Sequence, residues 1–145
     1  MTERQFGPEP PLARLLLMAS RWFDSRSLAE LERRGWPRLT SAQSLLFAHM
    51  QQDGVPPAEL ARRLGTSRQA THDLVRGLVD LGLLVVEDDP RRRGGRLVCL
   101  TPRGLALAMD AYGILLELEH SLGEEAVSQL RQILGELRLE PGVAR

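Results

Sequence analysis

The sequence contains no lysine: all 19 of its basic residues are arginine. Every cation is therefore a planar fork that can hold a carboxylate or phosphate through two parallel hydrogen bonds. A single cysteine, Cys99, excludes an internal disulfide framework and points to a reducing compartment. Long apolar runs are also missing. None is longer than Leu15-Leu16-Leu17-Met18-Ala19, far short of the ~20 residues a membrane span requires. The opening MTERQFGPEPP lacks the apolar stretch of a signal peptide, so the expected location is the cytoplasm, with no membrane partner. Net charge is absent too, because 19 acidic residues balance the arginines and leave no global pull toward nucleic acid or lipid. There is no phosphate-binding glycine loop, no Gly-x-Ser-x-Gly elbow and no recognisable Cys/His pairing, so no enzyme is expected. His49, His72 and His120 lie far apart, and neither Cys-x-x-Cys nor His-Glu-x-x-His spacing occurs, so neither metal nor cofactor is expected.

What is present is ordinary for a globular protein: 145 residues, 43% hydrophobic and 26% charged. A single chain of this size buries about 68–70% of its unfolded surface, enough for a core without covalent staples.

Residues 1–10 hold prolines, a glycine and mixed charges and read as a mobile arm. From Pro11, Leu12, Leu15, Leu16, Ala19, Trp22 and Phe23 recur at helical spacing, and the helix continues to about Arg34 before Gly35-Trp36-Pro37 ends it. Thr40 and Gln43 form a capping box for a second helix that stops near Asp53-Gly54. Pro57 suits the first position of a third helix, and Gly65 is a left-handed stop. A fourth runs from Thr66 to Leu81, capped by Thr66 or Ser67, with Gln69 placed to reciprocate. After Gly82 the period becomes strand-like over Leu83–Glu87 and Arg96–Leu100, a β-hairpin. Thr101-Pro102 starts a long helix that Gly123 breaks, and a last helix follows through Leu137. The expected fold is mainly α, an α+β winged helix-turn-helix of about six helices.

Residues 56–101 carry the function. Leu60, Leu64, Ala70, Leu74 and Leu78 clamp two short helices together, leaving Ser67, Arg68, Gln69, Thr71 and His72 outward with Arg76 a turn further on. Arg68, His72 and Arg76 share one stripe at i, i+4 and i+8. A helix that enters the major groove N-terminus first needs this mixture: arginine reads guanine, glutamine reads adenine, and hydroxyls with helix N–H groups hold phosphates. Thr66 joins them at the turn. Residues 62–96 hold eight arginines against five acids, a net +3, so the rest of the chain carries −3. The loop between the strands places Arg91, Arg92, Arg93 and Arg96 on a glycine-softened tip suited to a phosphate backbone or a minor groove.

The order and spacing of these segments resemble the multiple-antibiotic-resistance regulator (MarR) family over nearly the whole chain. The likeness rests on Leu39-Thr40-x-x-Gln43, Leu60-Ala61-x-x-Leu64, Ser67-Arg68-Gln69-Ala70-Thr71 and Leu100-Thr101-Pro102-Arg103-Gly104. It implies a single domain, residues 40–101 reading DNA and residues 11–34 and 102–138 forming the homodimer interface. It also implies a transcription regulator on a palindromic double-stranded operator, a repressor often released by a small effector such as a phenol or aromatic acid. Family wings commonly set an aspartate just before the arginine that enters the minor groove. Here Arg91-Arg92-Arg93 stand at that place with Asp88 and Asp89 earlier, so more than one acid and more than one arginine fit the two roles.

Blander readings stand beside these. Trp22, Phe23, Phe47 and His49 can line an effector cavity, since an aromatic with a polar edge holds a planar acid, but core or dimer interface is the commoner fate of such residues. Cys99, alone in a strand, reads as packing. A winged helix can also be a protein-interaction module without an operator of its own.

Overall fold

All but the last helix begin at a proline or a capping hydroxyl. In the computed structural model, which describes residues 8–139, α1 spans Leu12–Arg33 after Pro11 and α2 spans Ser41–Ala48. α3 spans Pro57–Leu64, α4 Arg68–Asp80, α5 Pro102–Leu122 and α6 Glu124–Glu136. Strands β1 (Leu84–Asp88) and β2 (Arg96–Leu100) pair antiparallel, with Leu84 opposite Leu100 and Asp88 opposite Arg96. Six helices and one hairpin are the expected winged fold. Of the arm expected over residues 1–10, residues 1–7 lie outside the described residues.

The Thr40 capping box forms in both directions: Gln43 N donates to Thr40 Oγ1 at 3.1 Å, and Thr40 N donates to Gln43 Oε1 at 2.9 Å. α2 stops at Ala48, well before the expected Asp53-Gly54. Tertiary pairing wins here, because Gly54 (φ +84°) turns the chain so that Val55 and Val98 exchange two 2.9 Å backbone hydrogen bonds. A Cβ on Gly54 would sit 2.8 Å from Cys99 Sγ. The hairpin therefore has a one-residue third rung, which ties the chain before α3 to the wing.

The core lies between α2, α3, α4 and the hairpin. Leu46, Leu60, Leu78, Leu83 and Val98 are fully buried there, and Leu107 and Ile114 of α5 and Leu31 of α1 extend it. α1 lies along α5, and α6 folds back on α5 after Gly123, where Arg131 reaches Glu119 at 2.7 Å. No residue of α6 is buried. Among the described residues no helix is long and apolar enough to cross a membrane.

Candidate nucleic-acid interface

α3 ends in a Schellman-type closure at Gly65 (φ +64°), where Gly65 N donates to Arg62 O and Thr66 N to Ala61 O. This places Thr66 in the turn, half-buried, and brings Ser67 to the start of α4. Ser67 is the cap: its Oγ accepts from Ala70 N at 3.1 Å. Gln69 does not reciprocate, because the cap falls one residue later than that pairing needs; its Nε2 instead donates to Asp73 Oδ1 at 3.0 Å.

Arg68, Gln69, His72 and Arg76 are exposed on α4 as expected, and Ser67 is exposed beside them. Thr71 corrects the reading. It is 1% exposed, and its hydroxyl donates to Ser67 O at 2.9 Å. Thr71 falls on the turn that α4 presses into the core, together with Val75 and Leu78, so this side chain packs the helix and does not project from it.

Across from α4, the wing tip is closed by backbone bonds: Asp89 N donates to Gly95 O and Gly95 N to Arg92 O, each at 2.9 Å. Asp89 Oδ1 accepts from Arg91 N at 2.9 Å, the Asx arrangement that fixes a turn. The tip is better fixed than its glycines led one to expect. The two acids divide their work. Asp88 holds the Arg96 side chain (Nη1 to Oδ1, 2.7 Å) across the strand pair, while Asp89 holds backbone.

Between α4 and the wing runs a groove of about 870 Å³. Arg68, Gln69, His72 and Arg76 line one wall, with the buried Thr71 also touching it, and Arg92, Arg93 and Arg96 line the other. Arg91, Thr66 and Ser67 stand outside it. Pro56, Pro57 and Ala58, at the start of α3, with Val79 and Val86, also line it, and Asp89 is the carboxylate among the lining residues. Sequence reasoning missed the first five; the signal for Val79 was its place three residues after Arg76 on the same helix face. Trp22, Phe23, Phe47 and His49 do not line this groove. Trp22 and Phe23 meet edge to face at 5.0 Å, with Arg26 stacked 4.7 Å over Trp22.

The charge of the segment divides into bound and available parts. Glu59, just before the basic stretch, takes Arg62 at 2.7 Å and Arg63 at 3.0 Å, and these bonds hold its carboxyl down at about 2. Arg63 also donates to His49 O at 3.1 Å and so ties α3 to the end of α2. Arg68, Arg76, Arg91, Arg92 and Arg93 make no salt bridge among the described residues, so the charge facing the groove comes from α4 and the wing tip. Cys99, in β2 and half-buried, has its thiol pushed up by burial and then by Glu87, which disfavours the reactive thiolate. Among the described residues no three His, Cys, Asp or Glu side chains come together as a metal site.

Residues 39–94 match the MarR family, a span that covers α2, α3, α4 and most of the wing. No curated protein matches the chain. Among solved structures, the fold is similar to the reduced form of MarR from E. coli, with a TM-score of 0.72 at 24% identity, covering 92% of this chain and 100% of that one. It is also similar to S. aureus MepR bound to ethidium bromide (TM-score 0.60, 22% identity, 88% of this chain and 94% of that one). An S. aureus MepR mutant bound to an oligodeoxyribonucleotide gives a TM-score of 0.56 at 25% identity, covering 89% of this chain and 96% of that one. With its capped α4, its arginine-tipped wing and this match across both, residues 39–94 form a MarR-family winged helix within a chain whose fold is similar to that of MarR.

Proposed function

We propose that the chain is a sequence-specific regulator that binds an inverted repeat of double-stranded DNA as a homodimer and represses transcription until a small effector releases it. One observation carries the DNA reading: arginines from α4 and from the wing converge on one groove with few carboxylates to neutralise them. α4 supplies Arg68, Gln69 and His72 near its N-terminus for base edges, with Ser67 and Thr66 at the helix start for phosphate. Arg91, Arg92 and Arg93 supply charge along the backbone. Arg96, braced by Asp88, is the wing arginine best positioned to hold one direction into a minor groove.

The homodimer rests on apolar surface. Leu12, Leu17 and Met18 of α1, Met109 and Tyr112 of α5, and Leu130 and Ile133 of α6 are all exposed in the single chain. Residues 11–34 and 102–138 thus serve as the interface, and residues 40–101 as the reading head. The effector is an aromatic acid or phenol; ethidium bound to MepR shows that a related protein takes a planar aromatic molecule.

The test is selection of full-length chain against a random duplex pool, followed by salt titration of the recovered sequence. An inverted repeat bound far more tightly than random duplex, with a steep log–log salt slope, is expected. Binding that is weak and insensitive to salt would instead mark a protein-interaction module.

A further inference from the structure

We propose that two side chains on one face of α5, Arg103 and Asp110, fix the angle between the reading head and the helical frame, and so set the half-site spacing the protein accepts. This rests on the dimeric DNA reading above. The two residues stand two helical turns apart, with buried Leu107 between them and Ile114 continuing the same face.

Arg103 grips the far end of the reading helix. Its Nη1 donates to Leu81 O, the C-cap carbonyl of α4, at 2.7 Å. The last carbonyls of a helix have no intrahelical partner, and a cation there also complements the helix dipole. Around this contact the backbone is locked: Thr101 Oγ1 donates to Gly82 O at 2.6 Å, and Thr101 N donates to Leu83 O at 3.1 Å. Gly104 lies so close that a Cβ there would run into the Leu83 carbonyl oxygen.

Asp110 grips the other end. It accepts from Trp36 Nε1 at 2.7 Å, and Arg34 stands 3.6 Å from its second oxygen. Trp36 belongs to the connection between α1 and α2, immediately before the head begins. Arg34 is itself held by Glu30 at 3.0 Å and lies 3.6 Å from Glu117, one further pair of turns along α5. One face of α5 therefore holds the head where the chain enters it and where the reading helix ends.

The consequence for recognition is geometric. Half-sites of a symmetric operator lie roughly 10–10.5 base pairs apart, so one added base pair swings the second half-site around the duplex by about 34°. A head clamped at two points cannot follow that rotation. A head held only by its apolar contacts can.

The experiment uses operators recovered by selection with the full-length chain, resynthesised with one base pair added or removed between half-sites. The parent should lose roughly tenfold or more in affinity on either change. A chain carrying Arg103→Ala and Asp110→Leu should lose about threefold or less, while Arg103→Lys, which keeps a donor, should retain the parental ratio. Residual dipolar couplings supply an arm without DNA. Amides of α4 and α5 should fit one alignment frame in the parent and need two in the double variant. Should the double variant fail to fold, Arg103→Ala and Trp36→Phe singly carry the same comparison, the latter keeping the ring and losing only its N–H. An equal spacing penalty in parent and variant, or one shared frame in both, overturns the clamp. If selection returns no inverted repeat, the functional reading falls and the dipolar couplings alone decide the clamp.

Discussion

The reading head and the helices that flank it treat the same residue type in opposite ways. Leu46, Leu60, Leu78 and Leu83 are 0% exposed in the head. Leu12 is 61% exposed on α1 and Leu130 56% exposed on α6. The head closes its own core with two short helices, a reading helix and a hairpin. The frame leaves most of its apolar side chains on surfaces that nothing among the described residues covers. Exposed apolar side chains in such number are what an interface shows when its partner is absent.

The sharpest way to break this contrast is to cut into each region in turn. Leu78→Ala should cost about 2–5 kcal/mol, read from urea unfolding, because it opens a cavity where the head is fully packed. That loss should be the same at every protein concentration. Leu130→Asp with Ile133→Asp should instead abolish the concentration dependence of unfolding and shift sedimentation at micromolar protein from dimer to monomer. A parent chain that sediments as a folded monomer would end the account of the frame.

At the DNA face the contrast is between reading and holding. Arg68→Ala should cost about 1–3 kcal/mol at the selected operator and relax one position, with fold stability unchanged. Replacing Arg91, Arg92 and Arg93 together should weaken operator and random duplex about equally and flatten the log–log salt slope by roughly two units. If Arg68→Ala weakens both duplexes equally as well, Arg68 is a phosphate contact and the distinction between helix and wing disappears.

A smaller effect separates the two carboxylates that gather arginines, Glu59 in the head and Glu30 in the frame. Both are held at about 2, below their ordinary 4.5, by hydrogen bonds from flanking arginines. A lowered carboxyl stabilises the fold at pH above its unfolded value, and that contribution is lost as the pH falls from about 4.5 toward 2. Urea midpoints at pH 5 and pH 3 should therefore differ less in Glu59→Gln than in the parent. Both groups lie at the surface, so the difference is small. Smallest of all, Cys99→Ser should leave DNA binding under mild peroxide as it is in the parent.

Helix starts were the most legible part of the sequence, because a cap is a local bond between residues close in the chain. Thr40 with Gln43, Pro57 and Thr101-Pro102 all act where the pattern placed them. The end of α2 was not legible, since the pairing of Val55 with Val98 that shortens it joins distant residues. Thr71 was misread for a related reason: polarity put it outside, but its position on α4 puts it under the helix, where the Ser67 carbonyl satisfies its hydroxyl. The arginines of the groove were visible as charge. What could not be seen was that Glu59, outside the basic stretch, takes Arg62 and Arg63 away from it, or that Asp88 and Asp89 serve a side chain and a backbone respectively.

The bridge between Val55 and Val98 also governs how the head opens. It closes residues 56–97, with both helices of the helix-turn-helix inside, into one loop whose ends donate to each other from buried positions. No fraying of α3, α4 or the wing tip frees those two amides. They exchange with solvent only when the entire loop is released, an opening whose entropy gain rises only slowly with the length freed. The Val55 and Val98 amides should thus exchange among the slowest in the head, and at one shared rate if the loop opens as a single event.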